Sequence, residues 1–292
     1  MRFDKVGVVG AGIIGRGVAQ ALAQTGHNVV LIDISLQVLA AARETITNGL
    51  RLAAFSNPAL RKVDHAQILR RVSFTPDFKD LADTKFIIEN ATEAWDVKSA
   101  VYQTLDSIAP VDCVFAVNTS AFQVERVATV ATRHPHIVGI HFMNPVPQKR
   151  FVEMIVGEAT TEFAVEAAHV LIAQLEKEAI VVGDTPGFVS NRVMMLMINE
   201  AIAVLDDGTA NALNIDAVFV KCFGHAMGPL ATADLIGLDT VLLTLDVLRD
   251  SFGDPKFEAS PLLRRMVEDG RLGRKAGVGF FEYVKRNGPH HG

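Results

Sequence analysis

One short segment near the amino terminus constrains this chain more than any other: Gly10-Ala11-Gly12-Ile13-Ile14-Gly15, set between an apolar run at 6–9 and a helical pattern. The order strand, G-x-G-x-x-G, helix gives each glycine a separate task. One makes a tight turn, one lets backbone approach a pyrophosphate, and one lets helix and strand pack closely. The helix start then offers unpaired N–H groups and a positive dipole end to the anion. Asp33 closes the next apolar run, at 29–32, where a carboxylate can bond both hydroxyls of an adenosine ribose. It would repel a 2′-phosphate, and the first arginine after it is Arg43, so the pattern favours NAD over NADP.

The rest of the first half repeats the rhythm. Apolar runs recur at 86–88, 114–117, 137–140, 151–155 and 180–182, several of them continuous and β-branched. Such runs fit strands buried on both faces of a parallel sheet covered by helices, joined by right-handed crossovers. Residues 35–71 interrupt the alternation with a long polar helical pattern carrying Leu36, Leu39, Ile46 and Leu50, broken at Asn57-Pro58. After Thr185-Pro186-Gly187 the character changes. Met194, Ile198, Ile202 and Leu205 recur at helical spacing, as do Val218, Leu235, Leu242 and Leu245. With 292 residues, two domains are the natural division. The expected fold is α/β: a doubly wound Rossmann-type sheet over 1–185, then an all-helical domain over 186–292.

Composition narrows the function. A net charge of −5 argues against nucleic acid as a partner. The most apolar stretch, 193–205, holds Asn199 and Glu200 and is too short to span a bilayer, and no signal peptide precedes the first strand; a cytoplasmic protein is expected. The two cysteines, Cys113 and Cys222, lack metal-ligand spacing, so no metal is expected.

Chemistry concentrates after two of the apolar runs. Asn118-Thr119-Ser120 follows 114–117, and His141-Phe142-Met143-Asn144-Pro145 follows 137–140. In an open α/β sheet the carboxyl ends of strands line the ligand crevice, so Ser120, His141 and Asn144 are expected to face it. Histidine suits removal of a proton from an alcohol that loses hydride, because it titrates near neutrality. Glu153 lies in the apolar run Phe-Val-Glu-Met-Ile, where a lone carboxylate is costly unless paired. Pairing with His141 would remove that cost and orient the ring; Lys149 and Arg150 are the competing partners. Asn191, just inside the second domain, could hold a thioester carbonyl or simply begin a helix.

These blocks together resemble the 3-hydroxyacyl-CoA dehydrogenase family, especially its short bacterial 3-hydroxybutyryl-CoA branch. The carriers are GAGIIGRGVAQ with Asp33, NTS at 118–120, HFMNPVP at 141–147, FVEMI at 151–155, DTPGFVSNR at 184–192, GPLATADLIGLD at 228–239 and GRKAGVGFFEY at 273–283. The resemblance implies reversible oxidation of an L-3-hydroxyacyl thioester. In it His141 is the base, Glu153 orients it, and Ser120 and Asn191 contact the substrate. The cofactor set is Gly10, Gly12, Ile13, Ile14, Gly15, Asp33, Glu93, Lys98, Asn118, Ser120, Asn144 and Lys275. It also implies a homodimer formed through the helical domain. Two departures stand out: Ala226 replaces the usual proline, and residues 53–60 lack the lysine-rich character expected of a coenzyme A clamp. Arg51, Arg61, Lys62, Arg70 and Arg71 are the basic residues left to meet coenzyme A or an acyl carrier protein, or to form a solvated helix face. Free hydroxy acids or sugar acids, in the manner of L-gulonate dehydrogenase relatives, are a second substrate class. A crystallin-like role without catalysis is the third reading, and the retained polar set argues against it.

Overall fold

The computed structural model describes residues 2–56, 63–120, 122–133, 136–158 and 160–283. The chain divides into two compact units, Met1–Thr185 and Pro186–Gly292.

In the first unit, the described residues form one eight-stranded sheet of order β3-β2-β1-β4-β5-β6-β7-β8. Its strands are β1 (Lys5–Val9), β2 (Asn28–Ile32), β3 (Val72–Thr75), β4 (Phe86–Glu89), β5 (Val114–Val117), β6 (Ile137–His141), β7 (Phe151–Val156) and β8 (Glu178–Gly183). The first six run in the order 3-2-1-4-5-6, the dinucleotide-binding arrangement, whose ligand crevice opens where the winding reverses between β1 and β4. Helices α1 (Ile13–Gln24), α2 (Leu36–Ser56), α3 (His65–Arg70), α4 (Trp95–Ile108), α5 (Val124–Ala128) and α6 (Glu162–Gln174) make most of the connections. β4 and β5 are buried at every position, as strands covered on both faces must be.

Two expectations need correction. β3 was not legible, and the long helical excursion ends in it rather than leading straight to residue 86. The sheet is also not wholly parallel: β7 runs antiparallel to β6, with His141 opposite Glu153, and β8 is parallel to β7. The link between β6 and β7 holds only a short 3₁₀ turn at Val146–Gln148. A parallel return needs a crossover of a dozen residues or so, so this link dictates the antiparallel pairing.

In the second unit the described residues form α7 (Ser190–Asp206), α8 (Ala212–Phe223), α9 (Pro229–Ile236), α10 (Leu238–Phe252) and α11 (Pro261–Glu268) around a separate core that includes Ile198, Ile202, Leu230, Leu238, Val241, Leu245 and Leu263. α8 and α10 each stop at a glycine in the left-handed conformation, Gly224 and Gly253. The expected break at Asn57-Pro58 lies outside the described residues, as do Arg61 and Lys62.

Candidate active site

The cofactor cradle follows from three missing side chains. Gly10 has φ +90°, and a Cβ there would lie 2.5 Å from the Asn90 carbonyl oxygen. A Cβ on Gly15 would lie 1.8 Å from the Gly10 oxygen, so the helix can start this close to the turn only with glycine. A Cβ on Gly12 would meet nothing within 4 Å. Its space is open, and Gly12 caps α1 without any side-chain hydrogen bond to the first-turn amides. Bare amides beside open space suit an anion.

Asp33 follows β2 with both oxygens already placed. Oδ2 accepts from the Ala11 N–H at 3.0 Å, and Oδ1 accepts from the Ser35 N–H at 3.0 Å. A carboxylate has about four acceptor positions, so roughly two stay available for a ribose diol. Turn, helix start and acid together fit an adenine dinucleotide.

The reactive group sits at the carboxyl ends of β5 and β6. His141 ends β6 and Glu153 stands directly across the ladder, so both side chains rise from the same face. The His141 Nδ1–H donates to Glu153 Oε2 at 2.8 Å, and His141 Nε2 lies 3.0 Å from Ser120 Oγ. With Nδ1 protonated toward the acid, Nε2 keeps its lone pair and accepts from the serine hydroxyl. His141 is 8% exposed and Glu153 6%, so the pair is nearly dry. Of the two competing partners, Arg150 pairs instead with Glu178.

Residues expected against the cofactor are tied into the frame around this group. Glu93 accepts from Thr119 Oγ1 at 2.9 Å and from the Ser120 N–H at 3.1 Å. Asn118 Oδ1 accepts from the Phe142 N–H at 3.0 Å, which fixes the chain just after His141. Asn144 is exposed beyond it. Lys98, also expected at the cofactor, is fully buried. Its side chain has no exposed surface, and its ammonium donates to both Glu89 oxygens, at 3.0 and 2.9 Å, and approaches the carbonyl oxygens of Ala91 and Asn118. A buried cation needs such a partner, and this pair ties the end of β4 to α4. Burial also raises the Glu89 carboxyl above the usual range, against the pull of Lys98.

Three supporting residues escaped the sequence reading. Asp184 accepts from the Val124 and Glu125 amides at 2.9 and 2.8 Å, capping the helix that follows the serine turn; burial raises its carboxyl. Lys177 donates to the carbonyls of Val146 at 2.7 Å and Lys149 at 2.5 Å, and burial lowers its ammonium. In the second unit, Asp234 accepts from the Phe280 and Phe281 amides and from Tyr283 Oη, at 3.0, 2.9 and 2.9 Å, and so fixes the turn at 273–283. Lys275 lies in that turn with its ammonium on Asp239. Asn191 stands in the first turn of α7, half-buried.

Two residues of the basic set, Arg70 and Arg71, are engaged within the fold. Arg71 precedes β3, and its guanidinium donates to the Ala23 carbonyl at 3.0 Å, while Arg70 pairs with Asp64. Both stand at the amino ends of the strands, a strand length of roughly 15 Å from the catalytic edge.

A doubly wound sheet, a glycine cradle with its acid, and a carboxylate-backed histidine at the strand ends define an NAD-dependent oxidoreductase. The chain belongs to the 3-hydroxyacyl-CoA dehydrogenase family. The family's NAD-binding domain matches residues 5–185 and its C-terminal domain residues 187–283. A 3-hydroxybutyryl-CoA dehydrogenase of Clostridioides difficile is 37% identical over 96% of this chain and 100% of its own length. One from Bradyrhizobium diazoefficiens is 39% identical, covering 96% of each chain. The crystal structure of (S)-3-hydroxybutyryl-CoA dehydrogenase PaaH1 from Ralstonia eutropha superposes with a TM-score of 0.91 at 40% identity, covering 97% of this chain and 100% of that one. Among the described residues no helix is long and apolar enough to cross a membrane.

Proposed function

We propose that this protein oxidises the 3-hydroxyl of a short L-3-hydroxyacyl thioester, foremost 3-hydroxybutyryl-CoA, and runs the reverse reduction. The observation that carries the reading is the run Ser120 Oγ, His141 Nε2, His141 Nδ1, Glu153 Oε2, with contacts of 3.0 and 2.8 Å. Ser120 Oγ–H orients the substrate oxygen. His141 Nε2 takes the hydroxyl proton, and Glu153 stabilises the imidazolium that results. Bound NAD supplies the hydride acceptor. Asn191 is assigned to the substrate and Lys275 to the cofactor, on their positions in the family motifs.

The carrier is assigned as coenzyme A, by likeness to relatives named for CoA substrates. A cavity of about 720 Å³, lined in part by Gln20, Thr45, Gly49, Pro147 and Lys177, borders the turn after His141 and offers room for a thioester arm. The homodimer is likewise a proposal. It is supported by Leu213, Phe223, Leu235 and Leu243, each more than half exposed on the helical unit. A cytoplasmic location accompanies this reading.

The deciding experiment follows NADH oxidation with acetoacetyl-CoA, the matching acyl carrier protein thioester and free acetoacetate in parallel. Turnover is expected with the CoA thioester foremost. His141→Ala or Glu153→Ala should lower kcat by about 10²–10⁴-fold while the NADH dissociation constant changes little. Undiminished turnover in His141→Ala would remove the base from the scheme.

A further inference from the structure

The catalytic serine sits on a turn whose N–H is held by one exposed carboxylate, Glu93. A hydrogen bond in that setting competes with water and gives little net rigidity. A second tie spans the same two segments. Trp95 opens α4, just past Glu93, and Phe122 follows the Ser120 turn; their rings lie 5.8 Å apart. The guanidinium of Arg126, on α5, lies over both, 4.1 Å from the Trp95 ring centre and 5.1 Å from that of Phe122. The two rings are tilted by 54° to one another, and the guanidinium, though exposed, covers both; a planar, weakly hydrated cation keeps such a contact in water.

We propose that Trp95, Phe122 and Arg126 are positioning residues for Ser120: their stack clamps the serine turn to the start of α4 and holds Oγ against His141. Glu93 bonds the same turn, and the aromatic contact adds the rigidity that those exposed hydrogen bonds lack. A shift of about 1 Å at a substrate-orienting group is enough to cost much of a rate. The inference rests on the assignment of Ser120 as that group.

The test is a double-mutant cycle read by steady-state turnover of acetoacetyl-CoA. Arg126→Met and Trp95→Leu, each checked for an unchanged circular dichroism spectrum, should lower kcat about five- to tenfold, the size of one modest interaction lost at the transition state. The NADH dissociation constant should stay within about twofold, and Arg126→Lys, which keeps the charge but not the planar group, should recover only part of the loss. In a Ser120→Ala background the same substitutions should change kcat by less than about twofold, because the group they position is gone. An equal loss in both backgrounds, or no loss in either, overturns the proposal. Inactivity of the unmodified protein toward every thioester would instead defeat the functional reading. The stack then stands or falls on fluorescence: Trp95 is the sole tryptophan, and its quenching by acrylamide should rise in Arg126→Met. Unchanged quenching counts against the clamp.

Discussion

Gly12 and Gly15 share one turn, yet a methyl group at each would meet opposite surroundings. At Gly15 it would strike the Gly10 carbonyl oxygen at 1.8 Å; at Gly12 it would project into open space from an ordinary backbone, φ −67°. Gly12→Ala should therefore fold with a stability loss of no more than about 1 kcal/mol, that of a poorer helix cap. Its NADH affinity should fall roughly tenfold or more, because the methyl occupies the pyrophosphate approach. Gly15→Ala should lose both binding and thermal stability. Melting curves beside NADH fluorescence titrations separate the two cases. At this scale the sequence was most readable at and near strand ends: Asp33 meets the glycine turn, and Ser120, His141 and Glu153 form one hydrogen-bonded run. It was least readable where a side chain serves backbone far along the chain. Asp184 bonds amides 60 residues away, and such a bond leaves no periodicity to detect.

Among the elements, the turn at 273–283 depends on a single carboxylate. Asp234 is 1% exposed and satisfies two amides and a phenol. Asp234→Ala should leave those donors unpaired in a buried place and cost about 2–3 kcal/mol or more, read as a lowered melting temperature. Burial, helped by the bond to Asp234, pushes the Tyr283 phenol up to about 12. The unfolded chain releases that proton near pH 10. Between those values the folded state holds more protons, so this contribution is whole below pH ~10 and declines as pH climbs to about 12. Tyr283→Phe should accordingly lose less stability than the unmodified protein between pH 9 and 11, measured by denaturant midpoints. β3 was missed for a related reason: four residues with a polar Ser73, on a sheet edge, carry too short a pattern to stand out from the helix before them. The antiparallel turn to β7 was readable in principle from the helix-free link at 142–150.

For the molecule as a whole, the described residues bury apolar side chains against the sheet in one unit and among α7–α11 in the other. Each unit buries its own apolar face, so the exposed leucines and phenylalanine of the helical unit are surplus to the chain's own packing. Sedimentation should accordingly give a species of twice the 31.6 kDa chain mass. Phe223→Glu combined with Leu213→Glu should shift it toward the monomer. A monomer before any substitution would remove the proposed dimer.

The facing of His141 and Glu153 across the β6–β7 ladder carries a rule of parity. Side chains alternate between the two sides of a strand, so the acid reaches the imidazole only while an even count is kept along β7. Adding or deleting one residue inside that strand would leave both amino acids present and the sheet paired, yet turn the carboxylate to the wrong side. Catalytic competence here is therefore protected by arithmetic in the backbone, and length changes near this site are tolerable only where they fall between strands.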